Sequence, residues 1–441
     1  MATKKKKLSL GISVLLVVVV FESFVAAKTG LPDMQTTKDD NLIDFLPNQP
    51  EGVDFLQYSG YITVNEGKEI ELFYYFAGAT GDNPTSKPLI LCFTGHEFPI
   101  SSIASWGFQQ YGPFRISDDG NQLTRNPHAW NQLANFIFVE SPAGVGFSKA
   151  ADPQFMMSVT RAIDIPYVYN FLFGWFERFP EFRNNDFYLA GQGSFGVSGP
   201  KLAQIILANN HMSNGTFINL KGLLIGNANF LLSPNADEQP ETDYMWYYGM
   251  ISDTAWSHPN CVIDPDVDDW DDDCMDFFMD KANMKQNFKY NIYQAQCPNV
   301  KPADVDPNSL YTGFYECFDY PVSLYLNTPS VQRSLHVESN GLYLWPTDPS
   351  GEYGTIPTFT ATQANLLRFN WTVQSDWRPW FVNPLEVAGY AMTYKEGLTF
   401  ATVRNSGSKV GLDQPERAFT IFKSFLDNTP LPSSPYFPFS S

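Results

Sequence analysis

Residues 60–64 and 71–76 carry the apolar and polar alternation of two strands. Residues 88–93 form a continuous apolar run of the kind that predicts a strand buried on both faces, and 136–140 reads as another short buried strand. The second run is broken by Ser141-Pro142-Ala143-Gly144. Residues 158–179 show helical spacing rich in aromatics, and 186–189 reads as another strand. After Gly191 to Gly199 the pattern predicts a helix over 200–209, with Pro200 tolerated in its first turn, then a strand over 220–225. Strand and helix in alternation argue for an α/β domain with a mostly parallel central sheet.

The flanks differ. Residues 28–50 are polar and read as a leader or arm, with packing expected from about Tyr58. Over roughly 241–325 the pattern changes to aromatic helix-like segments, four cysteines and an acidic tract, so this stretch reads as an insertion between two core parts, 51–240 and 326–428. The tract, residues 264–276, holds eight Asp. A calcium loop would need glycine where Asp269 stands and glutamate where Met275 stands, so a solvated acidic loop is the better reading. The α/β pattern resumes at 331–335 and ends with a strand at 398–403, a helix at 414–427 and a tail over 429–441.

Composition narrows the function classes. The 441 residues are 44% hydrophobic and only 17% charged, with 37 Phe, 22 Tyr and 10 Trp, which supports a large core. A net charge of -19 sets a nucleic-acid surface aside. Lysines at 4–7, an apolar run over 8–20 and Val25-Ala26-Ala27 read as a secretory signal peptide over 1–27. The apolar run is shorter than the ~20 residues that span a bilayer, so no stable membrane insertion is expected after cleavage. Secretory entry gives meaning to the sequons at Asn214 and Asn370, whereas Asn83-Pro84-Thr85 is excluded by its proline. Of the five cysteines, Cys261, Cys274, Cys297 and Cys317 lie within 57 residues and suggest a locally stapled segment; at least one thiol is left over.

Several segments resemble the serine carboxypeptidase family, secreted or vacuolar and lysosomal α/β-hydrolases that remove C-terminal residues from peptides. They are Tyr58-Ser59-Gly60-Tyr61, Gly112-Pro113-Phe114, Asn126-Pro127 with Trp130-Asn131, Glu140-Ser141-Pro142-Ala143-Gly144-Val145-Gly146-Phe147-Ser148, Trp175-Phe176-Glu177-Arg178-Phe179-Pro180, Asp186-Phe187-Tyr188-Leu189-Ala190-Gly191, Lys221-Gly222-Leu223-Leu224-Ile225-Gly226-Asn227 and Leu412-Asp413-Gln414-Pro415-Glu416-Arg417. The resemblance implies an α/β-hydrolase fold with helices on both faces of the sheet, an inserted helical lid, and no cofactor or metal.

It also implies a degenerate catalytic triad. The nucleophile of this fold sits on a sharp turn from strand to helix, flanked two positions away by small residues. The family pattern there is Gly-Glu-Ser-Tyr, and Gly191-Gln192-Gly193-Ser194 puts Gly193 in the nucleophile position. Slipping the register to make Ser194 the nucleophile would place Gln192 where the turn wants a small residue; otherwise Ser194 reads as a helix-start serine bonding a backbone donor. Triad order is nucleophile, acid, histidine, and no histidine follows His336. Ser408 stands in the histidine's place, and a hydroxyl there takes up no proton near neutral pH. His336 reads as a residue that caps or packs a helix. The strand that should deliver the acid has only residues 338–355 available, where Tyr353 is the nearest match and Asp348 and Glu352 read as surface-loop acids. A shortened gene model would account for the missing acid strand but not for Gly193 and Ser408.

The resemblance places the oxyanion loop at 94–102, one residue longer than the family's and carrying His96, Glu97 and Phe98 in place of glycines. Of the groups that recognise a substrate's terminal carboxylate, Glu140 is kept, Gln110 replaces a glutamate and Thr94 an asparagine, with Gly95 and His96 beside it. Family spacing pairs Cys274 with Cys297 best, leaves Cys317 without its usual partner and Cys261 undecided, and makes Cys92 a packed free thiol. The expectation is a carboxypeptidase-like protein that holds a peptide or small carboxylate without peptidase activity. The rival is a carboxypeptidase or acyltransferase working through Ser194. The sequence gives no oligomeric state.

Overall fold

The computed structural model describes residues 37–65, 67, 69–93, 101–151, 161–211, 217–228, 238–257, 319–338, 359–383 and 386–433. Its centre is a six-stranded sheet in the order β1 (Gln57–Asn65), β2 (Ile70–Ala77), β6 (Asn135–Val139), β3 (Leu89–Cys92), β7 (Phe187–Gln192), β8 (Leu220–Gly226). The first two junctions, β1 with β2 and β2 with β6, are antiparallel; β6, β3, β7 and β8 run parallel. A hairpin of β4 (Phe114–Ile116) and β5 (Leu123–Arg125) stands apart from this sheet.

Period 2 along the strands sends side chains into two cores. From β2, Phe73, Tyr75 and Ala77 enter one face, where they meet Phe108, Phe138, Trp130 and Phe422. Leu72, Tyr74 and Phe76 enter the other, against Trp175 and Phe179 of the helix and turn that follow β6. Both faces are covered, so seven of the eight β2 residues are buried and only Glu71 is partly exposed. That helix, Arg161–Arg178, and helix Phe195–Asn210 cover one face; helix Pro415–Leu426 and the segment Ile103–Gln110 cover the other. These layers make the α/β-hydrolase architecture expected from the sequence.

Packing starts earlier than Tyr58. Ile43 and Leu46 are already in the core, and Asn41 accepts hydrogen bonds from the Tyr74 hydroxyl at 2.8 Å and Arg178 at 2.6 Å. Residues 37–50 are therefore held against the core rather than extended from it.

A second sheet orders β11 (Thr399–Ala401), β10 (Glu386–Tyr394) and β9 (Val373–Asn383), all antiparallel. It packs Trp380, Ala388 and Ala391 against Ile421 of helix Pro415–Leu426 and against Leu431. The sequence reading found only β11. Pro379 inside β9 argues against a strand, yet it pairs opposite Tyr390 in a regular stretch of the ladder, with register shifts on either side. Among the described residues no strand flanks β8 on its outer side. Every residue of β8 is partly or fully exposed, unlike the buried β3 and β6 beside it in the same sheet.

Candidate active site

Strand β7 ends at Gln192 and the next helix opens at Phe195, so Gly193 and Ser194 make the whole turn. Gly193 has φ +64°, a left-handed conformation that costs an L side chain and suits glycine. Its N–H donates to the Gly226 carbonyl at 3.0 Å, and its carbonyl accepts from Gly196 N–H at 3.0 Å. A Cβ built on Gly191 would sit 2.3 Å from the Phe195 ring and 2.4 Å from the Phe93 carbonyl oxygen, so that position has no room for a side chain. Among the described residues, nothing lies within 4 Å of a Cβ built on Gly193. The turn thus has the shape of a strand-to-helix elbow with a left-handed glycine at its tip and no described residue crowding it.

The helix after the elbow begins five residues before the expected Pro200, which lies inside it. The turn forces the early start: Val197 N–H and Ser198 N–H both bond the Ser194 carbonyl, closing the first turn at once. Ser194 has φ −62° and ψ −7°, a right-handed conformation, and its side chain makes no cap bond, contrary to the helix-start role expected of it. It is buried.

Ser408 comes to this elbow from 216 residues away: Gln192 Nε2 donates to its carbonyl at 3.3 Å. Ser408 is 4% exposed, and its Oγ has no hydrogen-bond partner. The surrounding loop is held by Gly407 N–H to Asp413 Oδ2 at 2.7 Å and by Gln414 Nε2 to the Asn405 carbonyl at 3.0 Å.

Gln110 ends a segment, Ile103–Gln110, wound with π-type bonds such as Tyr111 N–H to the Trp106 carbonyl at 2.8 Å. Its Nε2 donates to Ser105 Oγ at 3.0 Å, while its Oε1 is buried without a partner. Arg115 Nη2 donates to the Gln110 carbonyl at 2.7 Å and to the Gly411 carbonyl at 2.8 Å, joining this wall to the Ser408 loop. Burial lowers the Arg115 pKa to about 10.

Glu140 follows β6 and is fully buried. Its Oε1 pairs with Ser101 Oγ at 2.6 Å and its Oε2 accepts from Phe147 N–H at 2.6 Å. Burial outweighs both bonds and pushes its pKa up to about 8, so the carboxyl is neutral below that pH. Gly146, at φ +52°, admits this carboxyl: a Cβ there would lie 2.0 Å from Oε2.

Thr94, Gly95, His96, Tyr353, Asp348 and Glu352 lie outside the described residues, as do Cys261, Cys274, Cys297, Cys317 and Asn214. Asn370 is exposed in a turn at φ +51°. Cys92 is a buried free thiol whose pKa burial raises. His336 stands at the end of helix Pro329–Ser334, its Nδ1 3.3 Å from Ser59 Oγ. Sequence reasoning placed Ser101 in the oxyanion loop without its pairing to Glu140, and missed Arg115 and Ser105. Arg115 follows the quoted Gly112-Pro113-Phe114, but its two acceptors lie far apart in the chain. Among the described residues no cluster of three metal-ligating side chains occurs.

A profile of the family described as serine carboxypeptidase matches residues 47–348 and 349–428. Serine carboxypeptidase-like 38 of Arabidopsis thaliana is 36% identical over 440 residues, covering 90% of this chain and 88% of that protein. Serine carboxypeptidase-like 26 of the same plant is 32% identical over 428 residues, covering 88% and 93%. Among solved structures, the prohormone-processing carboxypeptidase Kex1Δp of Saccharomyces cerevisiae superposes with a TM-score of 0.67 at 18% identity, covering 89% of this chain and 96% of that one. On these matches the chain belongs to the serine carboxypeptidase family.

Proposed function

We propose that this member of the family binds a peptide or small carboxylate in the ancestral cleft and does not hydrolyse it. The observation that carries the reading is the elbow itself: the left-handed residue at its tip is Gly193, with no side chain, and the loop beside it presents Ser408. Hydrolysis needs an attacking oxygen and a group that accepts its proton. A glycine supplies neither, and the Ser408 hydroxyl is not a base near neutral pH. Two positions expected to recognise a carboxylate keep polar side chains, Gln110 and Glu140. Gln110 Oε1 is buried and unpartnered, which is costly unless a donor from a ligand or water meets it, whereas both oxygens of Glu140 are engaged by Ser101 Oγ and Phe147 N–H. Entry to the secretory pathway through the N-terminal segment completes the reading, with residence outside the cell or in a vacuole or lysosome.

The test is calorimetric titration with an N-blocked dipeptide bearing a free C-terminal carboxylate, together with an assay for its cleavage. Saturable binding with no product, weakened by Gln110→Leu, supports the reading. Absence of binding, or turnover abolished by Ser194→Ala, contradicts it. Turnover through Ser194 is the rival enzyme reading, and the right-handed backbone of Ser194 speaks against it.

A further inference from the structure

Helix Glu238–Tyr247 packs against helix Phe359–Arg368, and where they meet Tyr244, Tyr247, Tyr248, Phe359 and Thr360 line a pocket of about 310 Å³. That volume is at the small end of natural ligand sites. Its rings stand at angles to one another: Tyr244 is 4.5 Å from Tyr248 at 46° and 6.2 Å from Phe359 at 75°. Rings so inclined leave much of one another's faces uncovered, and Tyr247 is 73% exposed, Tyr248 45% and Phe359 40%. Contiguous exposed apolar surface of this kind marks a contact site. The walls are also braced. Trp246 and Trp256 stack at 4.9 Å, while Trp246 Nε1 donates to Asp253 Oδ1 and Trp256 Nε1 to Asp243 Oδ1, each at 2.8 Å. This reciprocal clasp fastens Asp253–Trp256 to the helix that carries Tyr244 and Tyr247, and it stations two carboxylates beside the rings. Asp243 lies one turn before Tyr247, on the same helix face.

Charge selects the occupant. The faces of Tyr and Phe rings carry the negative lobe of their quadrupole and attract cations. No Lys or Arg occurs from residue 222 to residue 280, while Asp and Glu recur through that stretch. The pocket meets the carbonyl end of one helix and the amide end of the other, so their dipoles offset, and the rings and carboxylates set the potential. Arg368, the one basic residue of helix Phe359–Arg368, is at its far end, about 13 Å along the axis. We propose that this pocket binds a small organic cation, an alkylated ammonium group, between Tyr244, Tyr247, Tyr248 and Phe359. A bare ammonium would lose water that ring faces cannot replace, because they offer its N–H groups no oxygen acceptor; methyl groups on the nitrogen lift that cost and pack against the rings. The site is independent of the peptide or carboxylate role of the cleft.

The probe pair is (3-hydroxypropyl)trimethylammonium and 4,4-dimethylpentan-1-ol, which share a shape and differ in having a charged nitrogen or a neutral carbon at the branch. Ligand-observed NMR titration of the intact protein is expected to show the cation binding about tenfold or more tightly than the alcohol. Tyr247→Leu and Phe359→Leu should each weaken the cation about fivefold or more and leave the alcohol nearly unchanged, whereas Tyr247→Phe, which keeps the ring face, retains cation binding. Tyr247 is mostly in solvent, so its variants are expected to fold, and thermal unfolding verifies this for all three. Gln110→Leu should leave cation affinity as it is. Equal affinity for the two probes, binding of neither, or a cation preference that survives both leucine substitutions overturns the pocket as a cation site. None of these results bears on the blocked dipeptide, whose binding tests the cleft separately.

Discussion

The side-chain amide of Gln192 reaches the carbonyl of Ser408 at 3.3 Å, fastening the end of β7 to a loop that lies just before the C-terminal helix. The bond fixes the relative placement of the two positions where the proposed function finds the nucleophile and the base replaced. At one stands a glycine and at the other a serine, and both sit in well-formed local structure.

The glycines of the elbow should differ sharply in tolerance. Gly191→Ala forces a Cβ against Phe195 and the Phe93 carbonyl, so it is expected to destabilise by about 1–3 kcal/mol. Gly193→Ala meets no described neighbour within 4 Å and carries the left-handed backbone cost of about 1–2 kcal/mol. Urea unfolding should also show Gly193→Asn less destabilised than Gly193→Ala, since the strain at 193 is conformational and that at 191 is steric.

Glu140 makes stability depend on pH in a definite direction. Its pKa rises from an ordinary 4.5 to about 8 on folding, so between those values the unfolded chain has released a proton that the folded chain retains. The contribution is fully present below about pH 4.5 and is lost as pH climbs toward about 8. Glu140→Gln should flatten that part of the melting-temperature profile, with the variant gaining relative to wild type as pH increases. A parallel pair of profiles would refute the assignment.

Arg115 holds two walls of the cleft by their carbonyls rather than by an ion pair. Arg115→Met would leave both carbonyls without this donor and cost about 1–3 kcal/mol of stability. Ligand affinity should fall with it, while Arg115→Lys, which keeps a donor, restores part of both. Titration calorimetry and chemical unfolding on the two variants check this.

Cys92 lies in β3 with its thiol enclosed and its pKa raised by burial. A thiolate-directed disulfide reagent should leave it unmodified in the native protein and label it on unfolding. Peptide mapping after labelling reads Cys92 separately from the other four cysteines.

The central parallel strands were legible because burial on both faces demands unbroken apolar runs, as at β3 and β6. The turn after β7 was legible for a related reason: the apolar run of the strand ends at Gly191. What the local pattern concealed was whatever depends on distant partners. Strand β9 hides behind Pro379, whose pairing with Tyr390 requires the hairpin to exist first. The role of Arg115 rests on a carbonyl 296 residues away. The π-wound turn before Gln110 has no sequence signature, since its bond lengthening is set by packing of Trp106 and Phe108 into the core. Pro200 misled the reading of the helix start because proline favours a first turn, whereas here the elbow had already begun the helix at Phe195.

Covalent chemistry decides the central claim. Intact-protein mass spectrometry after exposure to a fluorophosphonate, beside an active serine carboxypeptidase as control, reads acylable serine directly. The absence of a nucleophile at Gly193 predicts that the control gains the phosphonyl mass while this protein keeps its own. A phosphonyl adduct mapped to Ser194, or to any other serine and accompanied by loss of peptide cleavage, would contradict the account.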